Sequence, residues 1–249
     1  MGDVEYPQYL KDKGFRFVER QPGTDKIPIR QASSDTTVPE DMRMSTGQFG
    51  NMVHNKRNAL RIATSDQIER GMNWYPTAHR IAQAIHPDVE KAAGVIGALS
   101  SRGTEWTQNV RSADQFFKTG VPLGKATGAQ VEAATRIAEG EHWSDVLPKD
   151  LKTYNFTKTI INPLDEEAYV SDTHDADSSA GLKMPWQTAD RGLGAMGRYN
   201  TFADAGRAAA NKAGLLPNQL QAATWLSWKE MGHPRRGNPR AVDIRRRGR

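Results

Sequence analysis

Two side chains between Leu147 and Asp177 are spaced to do chemistry together. Lys152 stands at the head of a predicted short helix. Asp172 follows 20 residues later, in the Ser-Asp-Thr-His-Asp that closes a β-branched and aromatic run. A carboxylate at the end of a short extended segment can face a cleft. There it stabilises positive charge developing on a substrate and orients the attacking nucleophile. A lysine amine becomes a Schiff-base nucleophile when burial or a neighbouring cation lowers its pKa; left solvated, Lys152 is a phosphate contact. His174 is either a hydrogen-bond partner within the Asp-Thr-His turn or a proton shuttle. Asp172 equally suits the N-cap of the next helix, a position Asp favours. Asp172, His174, Asp175 and Asp177 also have the spacing of hard-metal ligands, but no second His/Asp group pairs with them, so neither a metal nor another cofactor is expected.

The elements that must position these residues read as helices from about residue 48 onward. Phe49 to Arg61 predicts a helix with a weak apolar stripe, and Thr64–Arg70 another, closed by Gly71. Pro76 marks a helix start, and Ala78, Ile81, Ala82 and Ile85 form an i, i+3, i+4, i+7 stripe. Pro87 opens a helix with a stripe of Val89, Ala92, Ala93, Ile96 and Leu99 inward, whose small residues Ala92, Ala93, Gly94, Gly97 and Ala98 permit close approach of a neighbour. Thr104 is placed to cap a helix carrying Trp106, Val110, Ala113 and Phe117. Residues 126–139 predict a polar helix stopped by Gly140, and Ala203–Ala213 an alanine-rich one stopped by Gly214. The last helix, starting at Pro217, spreads apolar residues round much of its circumference, which predicts burial on more than one side.

Three regions follow from these patterns: an extended arm over 1–47, a compact helical domain over 48–232, and a disordered Arg-rich tail over 233–249. The arm is punctuated by Pro7, Pro22, Gly23, Pro28 and Pro39, with one strand-like alternation at 15–18. The fold class is all-α. The net charge of +5 belongs to the tail: residues 235–249 carry seven Arg and one Asp, leaving 27 basic and 28 acidic residues elsewhere. Arg235, Arg236, Arg245, Arg246 and Arg247 therefore predict nonspecific, salt-dependent contacts with nucleic acid, or else a solubilising end. The absence of cysteine excludes disulfides, thiolate catalysis and thiolate-held metal clusters. No window approaches the length of a membrane span and the N-terminus carries no apolar signal segment, so no membrane partner and a cytoplasmic location are expected.

Three segments resemble the helix-hairpin-helix DNA glycosylase superfamily, in the same order. GVIGALSSRGTEWTQNVRSADQFF (94–117) is similar to its helix–turn–helix, in which Leu-Ser precedes a polar loop inserted into DNA. LPKDLKTYNF (147–156) is similar to its hairpin, and SDTHDAD (171–177) to its Val-Asp-Thr-His segment, whose Asp is catalytic. NQLQAATWLSWKE resembles the helix that packs back on the site, so the likeness covers residues 75–231. The overall pattern is also similar to phage-encoded members, including glycosylase-like enzymes of phage thymine hypermodification. Two departures stand out. The hairpin turn, Pro148-Lys149-Asp150-Leu151, has no glycine to bring backbone amides close to a phosphate. The wedge position, where the family often has Gln, holds Arg102.

The resemblance implies a glycosylase-like enzyme acting on the N-glycosidic bond of a modified nucleotide in DNA, expected to be double-stranded. Asp172 is its acid and charge stabiliser, and Lys152 a possible lyase nucleophile. Lys149, Arg102 and His174 would contact DNA or substrate. The target base must leave the stack for a pocket with aromatic walls, for which Trp106 and Tyr154 are available, with Trp74, Tyr75 and Trp186. A phage-encoded chain would work in the host cytoplasm. Two other functions fit the residues: a non-catalytic module binding nucleic acid or a host protein, and an enzyme of free nucleotides similar to base pyrophosphorylases, which the near-neutral body and altered hairpin favour.

Overall fold

A computed structural model describes residues 46–100, 104–181 and 196–230. The arm, Arg102, Trp186 and the arginines of the tail lie outside these residues. Among the described residues every regular element is helical, so the all-α expectation holds. The helices are α1 (Thr46–Ile62), α2 (Ser65–Met72), α3 (Trp74–Ile85), α4 (Val89–Leu99), α5 (Trp106–Thr119) and α6 (Gly128–Glu139). They continue with α7 (Trp143–Val146), α8 (Lys152–Ile161), α9 (Thr173–Ala180), α10 (Met196–Ala213) and α11 (Pro217–Glu230).

Most helix ends have local causes. Thr64 with Gln67, and Thr127 with Gln130, form reciprocal capping boxes at the starts of α2 and α6. Asp88 accepts from the amides of Glu90 and Lys91 to start α4. Gly140, at φ 115°, ends α6 in a conformation that costs glycine nothing. Pro76 lies in the first turn of α3, where no intrahelical partner for its missing N–H is needed. Thr104 does not cap α5: Glu105 takes that position without a side-chain bond to the helix. α10 begins seven residues before Ala203.

Two apolar cores divide the molecule. The first surrounds α4, whose residues Ala92 to Leu99 are all buried against side chains of α3, α5, α6, α7 and α8. The second joins Met52 and Val53 of α1 to Met72, Tyr169, Ala176, Leu220 and the alanine face of α10. α11 spans both, giving Leu220 to one and Ala222 to the other. It approaches α2 so closely that a methyl on Gly71 would overlap the backbone of Ala223. The extended segment Ala168–Ser171 runs along the seam, and its alternation sends Tyr169 into the second core and Val170 into the first. Asp172 is the next residue.

Candidate functional site

The seam segment is held from both sides. Tyr199 of α10 donates its hydroxyl proton to the Tyr169 carbonyl at 2.9 Å and accepts the Ser171 N–H at 3.1 Å. Gly206, one helical stretch further along α10, lies flat against the Tyr169 ring, where any side chain would overlap it. Held there, Asp172 terminates the segment in extended conformation and caps α9, its Oδ1 accepting the Asp175 N–H at 2.8 Å. The side chain is half-buried, and Oδ2 makes no hydrogen bond among the described residues. Capping and a presented carboxylate are thus compatible, one oxygen serving each.

Behind Asp172 lies a charged cluster that the sequence reading did not single out. Lys56 of α1 is wholly buried and its ammonium sits 2.5 Å from Asp175 Oδ1. Lys56 also donates to the Tyr169 hydroxyl at 2.9 Å, and that hydroxyl donates to the same Asp175 oxygen at 2.6 Å, closing a triangle. Burial pushes the Lys56 ammonium down towards neutrality and the Asp175 carboxyl up, while their mutual attraction opposes both shifts. Burial, with Asp175 beside it, raises the Tyr169 hydroxyl well above its ordinary value. The negative charge of Asp172 reaches Lys56, Tyr169 and Tyr75 as well. The remaining oxygen of Asp175 and the Ser171 hydroxyl are buried without a hydrogen-bond partner among the described residues. Asp175 was legible only as one of several spaced acids, and Lys56 only as a lysine in a helix of weak stripe, a residue type solvated by default.

Lys152 begins α8, half-buried, and among the described residues no hydrogen bond or ion pair joins it to Asp172. The buried amine near Asp172 is Lys56 instead. The turn before α8 keeps a glycine-like shape without glycine: Asp150 adopts φ 59°, and Leu151 N–H donates to the Pro148 carbonyl at 3.3 Å. Asp is among the few residues that tolerate this region. No side chain caps α8, whose start is flanked by exposed Lys149 and half-buried Lys152.

Trp106 and Tyr154 border the first core. Trp106 tilts on Trp74 at 5.0 Å and meets Phe156 edge-on at 6.1 Å, while Tyr154 lies 4.8 Å from Trp143. His174, second residue of α9, meets Trp225 of α11 edge-on at 6.2 Å. Asp172, His174, Asp175 and Asp177 do not converge as ligands: among the described residues no three His, Asp or Glu are grouped to hold a metal ion. No described helix is long and apolar enough to cross a membrane.

No curated protein and no solved structure matches the chain. One family model matches residues 40–232, the span that includes every described helix, both cores and the Asp172 loop. The chain therefore belongs to the DUF7178 family, a family of unknown function.

Proposed function

We propose that this protein cleaves the N-glycosidic bond of a modified nucleotide in DNA, as in the helix-hairpin-helix glycosylases it resembles. The observation that carries the reading is the state of Asp172. Its Oδ1 is fixed by the Asp175 amide, its Oδ2 is uncommitted among the described residues, and the side chain is half-buried at the seam of two cores. As the bond between the sugar and the base breaks, the electron pair leaves with the base and the sugar carbon becomes cationic. A carboxylate oriented in advance at that carbon lowers the barrier. Water then adds to the carbon; one of its protons passes to the base or to solvent.

The uncapped start of α8, the left-handed Asp150 turn and the flanking Lys149 and Lys152 support a phosphate contact at this end of the helix. Lys152 is assigned to that contact rather than to a Schiff base, so hydrolysis without strand cleavage is expected. The test is a panel of duplex and single-stranded oligonucleotides bearing modified pyrimidines, scored for alkali-labile abasic sites. Wild-type protein should produce them, and Asp172→Asn should bind the same strands without producing any.

The capping bond of Asp172 favours a second reading, a non-catalytic nucleic-acid-binding module, because an N-cap is sufficient reason for an Asp at that position. In that case no abasic sites form with wild-type protein, and Asp172→Asn leaves every measured property unchanged.

A further inference from the structure

Trp225 is half-buried on α11, and its surroundings differ from those of the other described tryptophans. Trp74 and Trp106 pack against rings of the first core, Trp143 packs against Tyr154 and His142, and Trp228 is buried, so the cation on its face is what sets Trp225 apart. Trp225 has an imidazole at its side and a flexible cation on its face. His174, two residues beyond Asp172, meets the indole edge-on at 6.2 Å and 84°. Lys229, one turn further along α11, holds its ammonium 4.7 Å from the ring centroid. The same ammonium lies 3.4 Å from the carboxylate of Glu105, at the N-cap of α5.

This cover is weakly held. The Lys229 and Glu105 side chains are 38 % and 75 % exposed, and exposed ion pairs and exposed cation–π contacts contribute little. An aromatic face that can be uncovered cheaply, with a hydrogen-bonding ring at its edge and a cation ready to move, has the makings of a nucleobase seat. A base stacks on indole regardless of its identity. The displaced ammonium can pair with a backbone phosphate.

Resting on the glycosidic reading above, we propose that Trp225 is the stacking seat for the base that departs from the sugar carbon Asp172 stabilises. His174 lies at the base edge, and Lys229 leaves Glu105 for an adjoining phosphate when the base arrives. The distance along the chain fits: Asp172 and His174 occupy the N-cap and second position of one helix, within a single turn of each other.

The probe is a pair of oligonucleotides, one single-stranded and one duplex, each containing 2-aminopurine, whose emission falls when it stacks on an aromatic ring. Wild-type protein should quench the single-stranded probe; in the duplex, where the base stack has already quenched 2-aminopurine, the arm reads affinity by anisotropy. Trp225→Leu, which keeps apolar bulk but has no ring face, should abolish quenching and weaken single-strand binding roughly tenfold, and Trp225→Phe should restore most of both. Lys229→Gln should lower the slope of log affinity against log salt by about one; this arm does not depend on how well the Trp225 variants fold. Absence of quenching by wild-type protein, or quenching unchanged in Trp225→Leu, overturns the seat, as does an unchanged salt slope for Lys229→Gln. Abasic sites that depend on Asp172 but not on Trp225 overturn the seat and leave the glycosidic reading intact. Trp225-dependent quenching with no abasic sites on any substrate keeps a nucleobase seat and removes that reading.

Discussion

The Lys56 ammonium meets the Asp175 carboxylate at 2.5 Å, both side chains being almost wholly removed from solvent. The contact ties α1 to the first turn of α9, and so to the amide that fixes Asp172. Removing one charge strands the other in a medium that cannot solvate it. Lys56→Met should therefore destabilise the protein by about 3–5 kcal/mol. Lys56→Met with Asp175→Leu should cost clearly less than the single change, since no orphaned carboxylate remains. Urea denaturation of the three proteins measures the difference, and equal costs for the single and double variants would show that the pair does not act as a pair.

Asp172 combines a structural and a proposed chemical role, and two substitutions separate them. Asn retains the oxygen that accepts the Asp175 amide, so Asp172→Asn should melt close to wild type. Asp172→Ala removes the cap and should cost about 1 kcal/mol. Both should lack glycosidic activity. A fully active Asp172→Asn, measured by abasic-site formation, would remove Asp172 from the chemistry.

The turn before α8 carries its strain at one residue. An L-residue in the left-handed region costs roughly 1–2 kcal/mol, less for Asp, and Asp150 sits at φ 59°. Asp150→Gly should raise stability by up to about 1 kcal/mol, and the β-branched Asp150→Val should lower it. Loss of the carboxylate beside Lys149 and Lys152 should also tighten binding to oligonucleotides. Thermal melting and fluorescence anisotropy read the two effects separately.

Glu230 at the end of α11 receives two bonds from Arg70, at 2.8 and 2.9 Å, and one from Gln67 at 2.9 Å. Arg70 first, then Gln67, pulls the Glu230 carboxyl down to about 2 from its ordinary 4.5. The folded value lies below the unfolded one, so the unfolded chain takes up the proton first as pH falls. The contribution of this contact is complete above pH 4.5 and disappears as pH drops towards 2. Melting temperatures of wild type and Glu230→Gln should differ at neutral pH and converge across that interval. A difference that persists to the acid end would assign the effect to packing.

Helix boundaries were legible in the chain wherever their cause was local. Thr64 and Gly140 stand at helix ends as their residue types indicate, whereas Pro87 lies one residue before the Asp88 cap that starts α4 and Gly71 lies inside α2, which ends at Met72. The stripe on α4 likewise predicted a buried helix, and Ala92 to Leu99 are buried. Thr104 misled because the extended residue that precedes α5 is Glu105, at φ −67° and ψ 146°, and it makes no side-chain bond to the helix. The glycine-free turn at 148–151 suggested a lost hairpin geometry; Asp150 adopts the left-handed conformation anyway.

Asp172 was identifiable as a cap or a site residue because both uses depend on a short motif. The choice of amine was not identifiable. Lys152 and Lys56 are equivalent as letters on a helix, and the fold alone gives Lys56 a carboxylate 119 residues away while leaving Lys152 at a helix start beside the turn. Trp225 was equally hidden, since apolar residues all round α11 predict burial without saying which ring carries a cation on its face. Local sequence determined the helices, their caps and the carboxylate at the end of the seam, because those depend on propensities and hydrogen bonds a few residues apart. Tertiary structure alone decided which charge is buried and which indole meets His174, because desolvation and ring contact depend on neighbours brought together from distant parts of the chain.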